Sequence, residues 1–218
     1  ALTTDTAELG SLSADQVKSL TTAAVSGLTT DQVSGLTSAQ TQALTTNQVK
    51  ALTTAQLNTL GTVQASSMTS GQIATLSTTQ LSSLTNASVK ALSTDSISGL
   101  SANQVKALTT SAVTALTADQ VSKFTTAQVA VIASTNVGAL NSDQVAALTT
   151  AQVGALDATQ VKAITTTAVA AMTTAQVAAM TTTQVAALTA GQMSALTANE
   201  VKALSTSQVQ ALGTTQIN

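Results

Sequence analysis

Apolar residues mark this chain at two fixed positions of an eight-residue unit that recurs from Leu12 to the C-terminus without insertion or deletion. Leu148-Thr149-Thr150-Ala151-Gln152-Val153-Gly154-Ala155 is one copy, and its positions are lettered a to h. Position a is Leu, Met, Ile or Phe in every unit, and position f is apolar in every unit except the one holding Thr41. Such spacing implies that each unit stacks on a neighbour in one geometry, because a fold tolerant of loops would let the lengths drift.

The polar positions are as regular as the apolar ones. Position b is Ser or Thr in 21 of 26 units, and position e is Gln in 19 units and Glu200 in one more. An apolar residue, a Ser or Thr, a Gln three residues later and an apolar residue directly after it correspond to N′, N-cap, N3 and N4 of a helix. Together they form a capping box and a hydrophobic staple. The exceptions at b support this, since Gly61, Asn141, Asp157 and Gly213 are residues that cap helices and sit poorly in strands. Only Ala133 departs from the rule. The pattern therefore predicts an all-α solenoid of short capped helices, one per octad. Its caps include the pairs Thr149 and Gln152, Thr173 and Gln176, and Thr181 and Gln184. Its core includes Leu148, Val153, Met172, Val177, Met180 and Val185.

Other backbones fit less well. In one continuous helix each octad advances about 80° beyond two full turns, so the Leu stripe would wind around the whole surface. In a strand, a and f point to opposite faces, and they share a core only if every octad also contains a corner. A β-solenoid with such corners is the alternative that the many Thr and Val residues keep open. Disorder, common in low-complexity chains, is set aside because the apolar residues hold register throughout. Helices this short are unstable alone in water, so neighbour-to-neighbour packing has to supply their stability. Two or three octads could close one coil, and neither the Lys positions nor the non-Gln residues at e show a convincing longer period.

Charge placement adds to the helical reading. Within the array Asp15, Asp31, Asp95, Asp119, Asp143, Asp157 and Glu200 all fall at b, d or e, in the first turn. Lys18, Lys50, Lys90, Lys106, Lys123, Lys162 and Lys202 all fall at g or h, in the last, which is the order the helix dipole favours. Residues 1–11 depart from the octad: Leu2 precedes Leu12 by ten residues, and Glu8-Leu9-Gly10-Ser11 reads as a looser turn. The expected organisation is thus an irregular segment over 1–11 and a single octad-repeat solenoid over 12–218. Residues 121 to 138, with Lys123, Phe124, Val131, Ile132 and Ala133, are the least regular stretch, read as a packing variation.

Composition narrows the function. The 218 residues include no Cys, His, Trp, Tyr, Pro or Arg, and Phe124 is the only aromatic. Without Cys or His there is no disulfide framework, no usual zinc site and no thiol or His-based nucleophile. Carboxylates spread one per octad at capping positions do not form a catalytic pair, so no catalytic, cofactor-binding or metal residues are expected and the chain is read as a non-enzyme. A net charge of −2 with 7% charged residues gives no footprint for nucleic acid. Apolar runs such as Val129 to Ala133 are too short to insert into a bilayer.

Phe124-Thr125-Thr126-Ala127-Gln128-Val129-Ala130-Val131-Ile132-Ala133-Ser134 resembles the opening of the DNA-binding repeats of transcription-activator-like effectors, in which the equivalent Thr caps a short helix. The likeness spans these eleven residues only. Its period and continuation differ from that family's, so no base-reading residue carries over. The array as a whole resembles the Ala/Thr-rich Leu-Thr-Thr-x-Gln-Val repeats of very long bacterial secreted or surface proteins. That resemblance implies an extracellular or cell-surface location and a structural or adhesive role.

A weakly charged Thr/Ala/Gln surface lacks the repulsion that keeps molecules apart, and neither end carries the polar residues that seal terminal repeats. The expectation is a rod that self-associates head to tail and laterally as a filament, sheath or adhesin stalk. A second reading is a lattice-binding, ice-binding surface of Thr residues at b and c, such as Thr149-Thr150, Thr173-Thr174 and Thr181-Thr182. O-glycosylation of the exposed Ser and Thr hydroxyls is a third.

Overall fold

The computed structural model of the chain describes residues 9–217. Among them stand 26 α-helices of four to six residues and no strand, so the all-α reading holds and the β-solenoid is excluded. The chain forms two compact units, Ala1–Ala115 and Leu116–Asn218, built on the same plan.

Each octad is one helix and one corner. Thr149 is extended (φ −70°, ψ 158°) and caps helix Thr150–Ala155, which ends at Leu156, extended again (φ −65°, ψ 140°). Asp157 continues the extended path (φ −79°, ψ 168°) and caps the next helix, Ala158–Ala163. Two extended residues, at a and b, therefore turn the chain at every Leu-Thr junction. No described residue has a positive φ, so the corner needs no left-handed glycine. The backbone N–H at a still donates to the carbonyl at f, as Leu156 does to Val153 at 3.2 Å, which tightens the last turn.

Within each unit a helix packs on the helix three octads further on. Thr22–Ser26 lies against Thr46–Ala51 in the first unit, and Thr126–Val129 against Thr150–Ala155, itself against Thr174–Ala178, in the second. Three octads, or 24 residues, therefore close one coil. The longer period is visible at position c on one side of the coil, at Thr30, Thr54 and Thr78 and again at Thr126, Thr150 and Thr174. The Lys and non-Gln positions do not show it, because they vary with the surface and the caps rather than with the coil.

Positions a and f fill the coil. Leu148, Met172 and Met180 are 5% exposed, and Val153, Val177 and Val185 at most 1%. Thr41, the polar residue at f, is also buried, and its hydroxyl donates to the carbonyl of Thr37 at 2.9 Å. Phe124 and Ile132 are buried as ordinary position-a residues, so the irregular stretch 121–138 keeps the common packing.

Of the segment 1–11, residues 1–8 lie outside the described residues. Leu9 and Gly10 are helical rather than part of a loose turn, and Leu9 is buried. Leu12 N–H donates to Leu9 O at 3.2 Å, as Leu20 N–H donates to Val17 O. Position f of the array therefore reaches back to Leu9.

Candidate functional site: the glutamine ladder between coils

The side chains that the sequence singles out meet at each helix start. Gln152 N–H donates to Thr149 Oγ1 at 3.2 Å, and Thr149 N–H donates to Gln152 Oε1 at 2.6 Å. Thr173 with Gln176 and Thr181 with Gln184 repeat both bonds. Two of the N–H groups that a helix start leaves without partners are thus satisfied reciprocally. The exceptions at b behave as their chemistry requires. Asp157 Oδ1 accepts from Gln160 N–H at 2.7 Å, and Asn141 Oδ1 from Gln144 N–H at 2.9 Å. Gly61 has no oxygen to offer and keeps only the return bond to Gln64 Oε1. Ala133 has no side-chain cap, yet helix Ser134–Gly138 forms.

The other end of the glutamine has a role the sequence reading missed. Gln152, Gln176 and Gln184 are buried, and each extends its amide into the preceding coil. Gln152 Nε2 donates to the carbonyls of Phe124 at 2.6 Å and Val121 at 3.1 Å. Gln176 reaches Leu148 and Val145 at 2.6 and 2.9 Å, and Gln184 reaches Leu156 and Val153 at 2.6 and 2.7 Å. The intervals are always 28 and 31 residues, so the acceptors are the carbonyls at a and f on either side of one corner. The first unit repeats this, with Gln48 on Leu20 and Val17 and Gln56 on Leu28 and Val25. The carbonyl at a lies in the corner, where no helix N–H follows the turn to meet it. A buried carbonyl left in that state costs about 1–3 kcal/mol. One glutamine therefore caps its own helix with its oxygen and fastens the preceding coil with its nitrogen.

The composition of position e carried a signal for this. A capping box alone would accept Glu as readily as Gln, and the helix dipole would favour Glu. Only an amide, however, can also donate to a carbonyl. Glu200 keeps the box, accepting from Thr197 N–H at 2.6 Å, and brings no amide for the coil below. Ser88 substitutes by a shorter route, its hydroxyl donating to Leu60 O at 2.6 Å.

Positions c and d form the outer surface. Thr126, Thr150 and Thr174 are exposed, and their hydroxyls bond to no other described residue. No three His, Cys, Asp or Glu residues group as metal ligands among the described residues, and no described helix is long and apolar enough to cross a membrane.

Short helices, each capped and each fastened to the coil before it by the same residue, define a structural repeat protein. The model of the ALTTAQ repeat matches residues 17–46, 42–78, 122–158 and 153–190, together more than half of the chain, and the chain belongs to that family. No curated protein matches the sequence.

Proposed function

We propose that the chain is a non-catalytic building element of an extracellular or cell-surface filament, sheath or stalk, working through self-association end to end and along its sides. The observation that carries this reading is the commitment of the polar side chains: Thr149, Gln152 and their counterparts are spent on caps and coil-to-coil bonds. The surface that remains is mainly Thr, Ser and Ala, with 7% charged residues in the whole chain. Such a surface offers little electrostatic repulsion between copies. The repeat plan adds a coil for every three octads instead of enlarging one core, which suits a protein whose task is length. The resemblance to long bacterial surface repeats points the same way.

Sedimentation and electron microscopy over a rising concentration series test the proposal. Filaments or growing oligomers are the expected result, and a monodisperse species of 21.5 kDa throughout overturns it. Labelling of intact source cells with an antibody to the repeat tests the location, with decoration of the outside expected.

One observation favours a second reading. Thr126, Thr150 and Thr174, with Ala127, Ala151 and Ala175 beside them, are exposed on successive coils of the second unit. A rank of unengaged hydroxyls and methyls at one spacing is the geometry a regular lattice such as ice would match. Thermal hysteresis of the dilute protein, lost in Thr150→Lys, is the result this reading requires.

A further inference from the structure

The last coil of the second unit exposes what the coils before it bury. Position f is at most 1% exposed at Val145, Val153, Val161, Val169, Val177 and Val185, but 41% at Val201, 48% at Val209 and 68% at Ile217. With Met193 and Leu212 these side chains line a hollow of about 400 Å³. The polar half of the coil-to-coil contact is open there as well. Gln208 and Gln216 donate backward to Met180 and Leu188, and no glutamine of the chain stands 28 residues beyond Leu204 or Leu212. At the other end of the array Gln16 is exposed. Its Oε1 accepts from Ser13 N–H at 2.8 Å, while its amide nitrogen has no acceptor among the described residues.

We propose that this C-terminal face binds the N-terminal coil of a second copy of the chain. In that contact Gln16 donates its amide into a carbonyl pair at f and a, either Val201 with Leu204 or Val209 with Leu212. Continuity with the contact inside the array identifies the occupant. The face offers apolar f residues flanked by carbonyls that lack donors, and the surface complementary to it is a coil carrying buried a and f residues and a glutamine at e. Such a contact joins two different patches and does not close, so it propagates. The inference rests on the self-associating reading above and specifies its end contact.

Sedimentation velocity on three forms tests it: the wild type, Val209→Asp with Ile217→Asp, and Gln16→Glu. The wild type is expected to form oligomers beyond the dimer, and each variant to associate at least tenfold more weakly with its helical circular dichroism unchanged. Mixed together, the two variants keep one good end each and should form a dimer that grows no further. Should the double variant lose helicity, Gln16→Glu, altered at an exposed side chain, carries the test alone. Variants that associate as strongly as an associating wild type overturn the end contact and leave self-association through the sides. A wild type that stays monomeric overturns both.

Discussion

The amide nitrogen of Gln176 lies 2.6 Å from the carbonyl oxygen of Leu148, 28 residues earlier in the chain. Between these two residues lies one full coil and one corner, so a single side chain links the local conformation of one octad to the stacking of the next turn. Because the same glutamine also accepts from Thr173 N–H at 2.6 Å, its position is fixed from both ends. Helix start and coil contact therefore form together, which is how octads too short to be stable alone become a cooperative array.

The first prediction separates the two tasks of the glutamine. Gln152→Glu keeps the acceptor for Thr149 N–H but sets an oxygen where Nε2 now donates to Phe124 O at 2.6 Å. A residue that only capped would accept this change or gain from the dipole. The structure instead requires a loss of about 2–4 kcal/mol, from the missing bonds and an unpaired buried charge. Gln152→Ala, which leaves no charge, should cost less, about 1–3 kcal/mol. Urea denaturation gives the order, and a Glu variant as stable as the wild type would remove the cross-coil role.

Glu200 supplies the reverse experiment. Glu200→Gln retains the bond from Thr197 N–H and adds an amide aimed at the carbonyls of Val169 and Met172, which stand 31 and 28 residues earlier. A gain of about 1 kcal/mol is expected. Peptide-level hydrogen exchange should show it as slower opening of residues 169–172 along with 197–204.

The capping half was legible in the sequence because it is local: Thr149 and Gln152 are three residues apart, and the spacing of apolar Leu148 and Val153 around them identifies the helix start. The number of octads per coil was not. It is set by contacts between side chains 24 to 31 residues apart, and residues free to vary at the surface, such as Lys162 and Lys202, hide that period. Thr126, Thr150 and Thr174 carry it, but only when every third octad is compared. The dominance of Gln over Glu at position e was the readable trace of the coil-to-coil bond. The capping box accounted for the glutamine so fully that its second end went unasked.

Cap chemistry gives the third prediction. Thr149→Ala should cost about 0.5–2 kcal/mol, and Thr149→Val about as much, since it keeps the shape and loses the oxygen. Thr149→Asp should be tolerated, as Asp157 makes the same two bonds at 2.7 Å each. Ala133→Ser should stabilise by a similar amount, because helix Ser134–Gly138 now starts without a side-chain cap. Thermal midpoints of the four variants check the series, and a Val variant more stable than the Asp variant would contradict the cap.

The last prediction concerns two glycines at the same octad position. In a helix Ala is favoured over Gly by about 0.8–1.0 kcal/mol, so substitution at either should help if only propensity counted. Gly154 lies within helix Thr150–Ala155, and a Cβ there would meet its nearest neighbour, Ala179 O, at 3.6 Å, an ordinary contact. Gly138 ends helix Ser134–Gly138, where a Cβ would stand 2.8 Å from the carbonyl oxygen of Ala163. Backbone in helix Ala158–Ala163 would have to move to admit it, and such overpacking costs about 1–3 kcal/mol. Gly154→Ala should therefore raise the unfolding midpoint and Gly138→Ala lower it. The sign of the difference, measured on otherwise identical chains, reports how closely neighbouring coils approach at this position. Two equal gains would mean that the coils at Gly138 stand further apart than the 2.8 Å approach implies.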